Sequence, residues 1–340
     1  MIQFFERGYP SANSILLLGH RPVLVDTGFG ADAPELVAWL DRVGVPAASL
    51  SLIVNTHFHC DHAGGNHELQ RRFDVSVAAS AIEAEPVNAR APDACRSQWL
   101  NQPIEAYTVE RTLEDGDQIA TGSAIWLVLA TPGHTRGHLS LYCPEVGVLV
   151  LGDAMHGADL GWLDPFNEGA DCLDRAEATI ERLAALPAVT GYSGHGPVIT
   201  DLPAAFNRAR SRLRSWREDP HRMAWHACKR IFAYALMLQD GLTEPELEPF
   251  LLACPWFQDH ARLAFGVSAQ RFVPMLLAEM QRADAAYWQG GKLLARAPYQ
   301  PVPPGWPASP ARPALWQAED ARVKPAHDGQ GPQSGLLTPP

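Results

Sequence analysis

The chain has 340 residues, 46% hydrophobic and 19% charged, with a formal net charge of −11. That balance supports a packed core and excludes a wholly disordered, collagen-like or coiled-coil protein; at roughly 100–200 residues per domain it suggests two domains, or one with an appendage. No apolar run approaches the roughly 20 residues that span a bilayer, and the opening MIQFFERGYP has neither the basic nor the apolar stretch of a secretory signal, so a cytoplasmic protein away from membranes is expected.

Residues 14–18 and 22–25 are short apolar runs on either side of Gly19, His20 and Arg21, a hairpin pattern. A helix is expected over 33–43, where Leu36, Val37, Leu40 and Val43 recur at helical spacing and Gly44 ends the run. Residues 50–54 form a buried strand leading straight into a histidine-rich turn. Further strands are expected at 75–78, 124–130, 139–142, 146–151 and 189–192, with a helix over 174–186. Interleaved strands and helices predict an α/β or sheet-sandwich unit over residues 1–203. From 204 the pattern turns helical (204–216, 221–239, 244–252 and 269–285). A hairpin then follows at 286–295 around Gly290 and Gly291, so residues 204–297 resemble a winged-helix unit. Residues 298–340 are Pro-rich, with few aliphatics, and read as a disordered or polyproline tail.

Charge divides with the pattern. Residues 1–203 hold 11 Lys and Arg against 26 Asp and Glu, whereas residues 204–300 hold 13 against 9. An acidic first unit disfavours nucleic acid along its surface, because phosphate binding needs clustered positive charge. The arginines at 208, 210, 212, 214 and 217 are expected to pair with the acidic unit. The six cysteines contain no CxxC pair and are expected to be reduced and mostly buried.

The decisive run is Thr56-His57-Phe58-His59-Cys60-Asp61-His62-Ala63-Gly64-Gly65. Imidazole and carboxylate are natural ligands of a borderline metal such as zinc. In extended chain, His57 and His59 point the same way and can grip one ion; Asp61 and His62 follow and can serve a second. Three further runs place His or Asp directly after an apolar strand, beside glycine: TPGHTRGH with His134, LVLGD with Asp153, and YSGHGP with His195. With VLVDTG, which carries Asp26, polar residues sit at five strand ends on one edge, where α/β enzymes build their sites. His138 and Cys60 read as a structural hydrogen-bonder and a packed thiol. His67 is expected on the exposed face of the following helix.

These motifs, in this order, resemble the metallo-β-lactamase-fold metallohydrolases over about residues 10–200. The resemblance implies an αββα sandwich with a two-metal site between the sheets. It implies one metal on His57, His59 and His134, a second on Asp61, His62 and His195, Asp153 bridging, and Asp26 behind them orienting a ligand and the turn. Two zinc ions are expected, with iron or manganese as alternatives, and a metal-bridging hydroxide that cleaves an ester, thioester or lactone. Asp61 would accept a proton, and His156, three residues after Asp153, would contact the substrate carbonyl.

Departures narrow the family. The bridging Asp153 argues against antibiotic hydrolysis, and His59 stands where oxygen-reducing diiron relatives carry Glu. THFHCDHAGGN is close to the run of glyoxalase II and of quorum-quenching lactonases, while the segment after Asp153 lacks the pattern of glutathione-thioester hydrolases. The apolar run from Gly161 to Phe166 is expected to line the pocket, which points to a small substrate with a hydrophobic acyl group. Residues 230–236 and 255–257, with Phe265, Phe272 and Trp288, read as core of the second unit, part of it capping the site. The alternative readings are an RNA-processing nuclease using the basic second unit, and a single-iron persulfide dioxygenase. An oligomer is compatible with all of them.

Overall fold

The computed structural model describes residues 1–297; the Pro-rich segment expected from 298 onward lies outside the described residues. Strand β1 (Ile2–Phe5) pairs antiparallel with β2 (Ser14–Leu17), which turns back antiparallel into β3 (Val23–Val25). Helix α1 (Ala33–Arg42) begins with proline in its first turn, buries Leu36 and Leu40, and returns the chain to β4 (Leu52–Val54), parallel to β3. The short α2 (Cys60–Ala63) and α3 (Asn66–Phe73) follow, then β5 (Val77–Ser80) and α4 (Ala81–Asn88), whose first turn is capped by the Ser80 hydroxyl. After α5 (Ser97–Leu100), β6 (Arg111–Leu113) completes a six-stranded sheet in the order β1-β2-β3-β4-β5-β6.

A second sheet is built from β7 (Gln118–Ala120), β8 (Ile125–Ala130), β9 (Leu139–Cys143) and β10 (Val148–Gly152) in an antiparallel meander. Helix α6 (Cys172–Ala184) then crosses over to β11 (Thr190–Ser193), parallel to β10. Strands β2, β3, β4, β9 and β10 are buried along their whole length, which is why they read as continuous apolar runs. Alternation still sorts their faces. Ile15, Leu17, Val25 and Val54 meet Trp126, Val128, Leu141 and Val150 between the sheets. Leu16, Leu24 and Ile53 back onto α1, and Leu149 and Leu151 back onto α6. The result is the expected four-layered αββα sandwich.

Helix α7 (Leu202–Glu218), which opens the expected helical unit, packs on the sandwich. Its Phe206, Ala209, Leu213 and Trp216 join the cluster under the second sheet. The helical unit's own core starts with α8 (Pro220–Leu238). It continues through β12 (Leu242–Thr243), α9 (Glu244–Ala253), α10 (Pro255–Asp259), a π turn over His260–Ala264, and α11 (Ala269–Arg282). The hairpin β13 (Ala286–Gln289) and β14 (Lys292–Ala295) closes it, with β12 paired to β14. Phe232, Trp256, Phe257 and Phe272 fill this core together with Trp99 and Leu100 of α5, so the two units share buried apolar surface. Trp288, expected inside, is 42% exposed because it stands beside the Gly290–Gly291 turn, and Phe265 is half-buried. No helix among the described residues is long and apolar enough to cross a membrane.

Candidate metal centre

The turn after β3 begins at Asp26, whose φ of +59° lies in the left-handed region that L residues rarely adopt. The carboxylate rewards that conformation: Oδ1 accepts from the Thr56 amide (2.8 Å), and Oδ2 accepts from the Thr56 hydroxyl (2.7 Å) and His62 Nδ1 (2.8 Å). With Nδ1 committed, His62 presents Nε2 to the cavity. Thr56 Oγ1, 3.2 Å from His57 Nδ1, does the same for His57. His134 donates Nδ1–H to the Trp162 carbonyl (2.5 Å) and also presents Nε2. Partners of this kind fix the tautomer and ring orientation of metal-ligating imidazoles.

The presented atoms converge. His57 Nε2 is 3.1 Å from His59 Nδ1, which is 2.9 Å from His134 Nε2. These spacings are close to the roughly 3.3 Å edge of a tetrahedron whose centre lies about 2.0 Å from each corner, the metal–nitrogen distance of zinc. Burial first, and then the neighbouring imidazoles, hold His57 and His59 well below the ordinary histidine range, so their lone pairs are available. On the other side, His195 Nε2 lies 3.2 Å from Asp61 Oδ2, and His62 Nε2 lies 3.3 Å from Asp153 Oδ1 and 3.8 Å from Asp61 Oδ2. Asp153 Oδ2 is 3.8 Å from both His134 and His195, so its two oxygens face both groups.

Three metal-competent triads result: His57, His59 and His134; His57, His62 and Asp153; and Asp61, His62 and His195. The donor set fits divalent cations on two further observations. His62 Nε2 is buried with no hydrogen-bond partner, and although burial opposes charge there, Asp153, Asp61 and Asp26 outweigh it and favour a positive charge at that ring. Glycine also leaves the necessary room: a Cβ at Gly194 would collide with Asp153 Oδ1 and His62 Cε1.

All seven expected donors are thus brought together, with Asp26 behind them. His156 donates Nε2–H to Asp153 Oδ1 (3.1 Å) and lines the same cavity. His138 is a support: its Nε2 accepts from the Asp153 amide (3.0 Å) and its Nδ1 binds the Thr131 hydroxyl (2.8 Å). Burial lowers it to about 3, so it stays neutral. The Cys60 thiol turns away to Gln102 (3.2 Å), and all six cysteines are free and buried. His67 is half-buried and binds the Ala106 carbonyl.

The donors form the floor of a cavity of about 450 Å3. Trp162 of the expected pocket run lines it, stacked on His59 with ring centroids 5.3 Å apart. Sequence reasoning missed Tyr9, stacked on His195 at 4.4 Å, and the wall supplied by α7 and α8, including Arg212, Lys229, Arg230 and Tyr234. Neither a lone tyrosine near the first strand nor polar positions on a helix carry a spacing signal. Four of the five arginines expected to pair with the first unit do meet it: Arg208 the Gly157 carbonyl, Arg210 Glu181, Arg212 Asp159, and Arg217 both Asp174 and Glu177.

Residues 7–195 match the sequence profile of the metallo-beta-lactamase superfamily. Among curated proteins, a hydroxyacylglutathione hydrolase from Brucella ovis is 31% identical over 182 residues, 53% of this chain and 60% of that protein. The chain therefore spans about 60% of the length of such relatives. A metallo-beta-lactamase family protein from Thermus thermophilus superposes with a TM-score of 0.54 at 22% identity, covering 87% of this chain and 98% of that one. A Cronobacter sakazakii metallo-beta-lactamase gives 0.54 at 18% identity, covering 65% and 95%. At these identities the solved structures speak for the fold. The profile match, over more than half the length, adds the family: the chain belongs to the metallo-beta-lactamase superfamily.

Proposed function

We propose that the protein is a hydrolase that holds two divalent cations, zinc by donor chemistry, and cleaves an ester, thioester or lactone bond in a small molecule. The observation that carries this reading is the convergence of His57, His59, His134, Asp61, His62 and His195 around the shared carboxylate of Asp153 on a cavity floor. Two cations there would supply a Lewis acid for a carbonyl oxygen and a water acidified toward neutrality.

The chain's own groups supply the rest. Asp61 faces His195 Nε2 through Oδ2, 3.2 Å away, so that with both holding a cation its Oδ1 is left to take the proton that an attacking water gives up. His156, bonded to Asp153, steadies that carboxylate and stands where a substrate carbonyl enters. Trp162, Leu160, Ile231 and Met237 give the cavity apolar wall, which suits an acyl group and excludes water from it. Four of the five α7 arginines meet the first unit, which reduces the basic surface that the nuclease reading requires.

The test is metal content of the purified chain with a turnover screen over aryl esters, acyl-coenzyme A thioesters and homoserine lactones. Two metal ions per chain, with turnover lost in His57→Ala, is the expected result. One iron per chain with oxygen uptake and no hydrolysis would overturn it in favour of the dioxygenase.

A further inference from the structure

The cavity wall opposite the metal donors is cationic. Arg212, Lys229, Arg230 and Arg296 line the same cavity as Asp61, Asp153 and His195. Apart from Asp61 and Asp153, the carboxylates among its described lining residues are Asp159 and Asp284. Asp159 is shared by two guanidinium groups, Arg230 at 2.5 Å and Arg212 at 3.1 Å. Glu279, behind the wall, is shared in the same way by Lys229 at 2.9 Å and Arg282 at 2.7 Å. Each of these carboxylates thus neutralises one of its two cations and leaves the other in excess; Arg296 is matched by Asp284. His226, which also binds Asp159 (2.9 Å), is lowered by burial and adds no charge near neutral pH.

The guanidinium groups are open to the mouth, with side chains 52% exposed for Arg230 and 43% for Arg212, and a guanidinium carries five N–H donors. Arg230 and Arg212 reach Asp159 through one nitrogen each. This pocket of positive charge sits in a chain of net charge −11. A local inversion of sign in a concave, partly enclosed mouth focuses an anion that the rest of the surface repels. These residues lie outside the segment 7–195 that matches the family profile and belong to the helical part of the chain.

We propose that the substrate carries an anionic group, carboxylate or phosphate, away from its scissile bond, and that Arg230, Arg212 and Lys229 bind it while the acyl end reaches the metal floor. The inference rests on the hydrolase reading for the acyl end; the anion subsite itself can be read by binding alone.

The experiment is calorimetric titration of the metal-loaded, full-length protein with three unreactive thioether analogues of one acyl chain, ending in a neutral amide, a carboxylate or a phosphate. The anionic ligands should bind about ten- to a hundredfold tighter than the neutral one, the range for a charge-assisted contact, and the gap should narrow as salt rises. Arg230→Gln and Lys229→Gln should each pull the anionic-to-neutral ratio toward one, and Arg230→Lys should keep part of it. The tighter of the two anionic ligands identifies the group. Equal binding of all three ligands, or a ratio untouched by these substitutions, overturns the subsite. The matching hydrolysable thioesters separate the two readings: hydrolysis without anionic preference sinks the subsite alone, and anionic preference without hydrolysis sinks the hydrolase alone.

Discussion

The floor and the wall of the cavity are built on different principles. Floor residues come from turns at strand ends, and each imidazole that turns a nitrogen inward from His57, His62 or His134 has its other nitrogen held by a protein group. Wall residues come from helices α7 and α8, reach toward solvent at their tips, and are positioned by shared ion pairs. A floor of this kind is rigid and preorganised for a demanding ligand; a wall of this kind is adjustable and sets which ligand is admitted. On the proposed function, chemistry would reside in the first and selectivity in the second.

The sharpest way to break the comparison is at the shared carboxylate. Asp153→Ala should remove most bound metal and take turnover below detection, as read by elemental analysis and kinetics on the same sample. Phe257→Ala empties the fully buried centre of the helical unit and should cost about 3–5 kcal/mol. Because Trp99 and Leu100 share that core, thermal unfolding should stay a single transition; separate melting of two units would contradict the shared core. Asp26→Asn should weaken metal binding about 10–100-fold, the usual cost of losing an orienting partner, in a chelator competition assay.

A smaller effect lies beside the floor. Glu83 is buried and pushed up to about 8, first by burial, with Oε1 accepting from Thr135 next to His134 and Oε2 without a partner. A carboxyl raised in the folded state stabilises the protein while protonated. That contribution is full below the ordinary carboxylate range near 4.5 and is lost as pH climbs toward about 8. Glu83→Gln should flatten the fall of Tm between those limits, and an unchanged slope would show that another group governs it. The smallest effect is expected at the surface: Arg217→Ala breaks exposed pairs with Asp174 and Glu177 and should leave Tm and turnover within experimental scatter, since such pairs contribute little.

The sandwich was legible because its central strands are buried on both faces and its helices are amphipathic; 33–43 and 269–285 fall within a few residues of α1 and α11. The strands β1, β6 and β7 were not, since three- and four-residue edge strands with exposed positions carry no periodic signal. The donors were legible because metal chemistry restricts residue type and because each stands next to its glycine turn. Tyr9 and the α8 cations were not, because aromatic and basic residues on a loop or helix have many ordinary uses.

The sequence alone therefore determined the fold class, and its motifs, through the family they resemble, named the seven candidate donors and Asp26 behind them. Only the tertiary structure decided that α7 belongs against the sandwich, that α5 threads the helical core, and that α8 closes the cavity with positive charge. Those outcomes depend on which surfaces meet across long separations in the chain, and burial of apolar area is non-directional, so no local pattern records its partner.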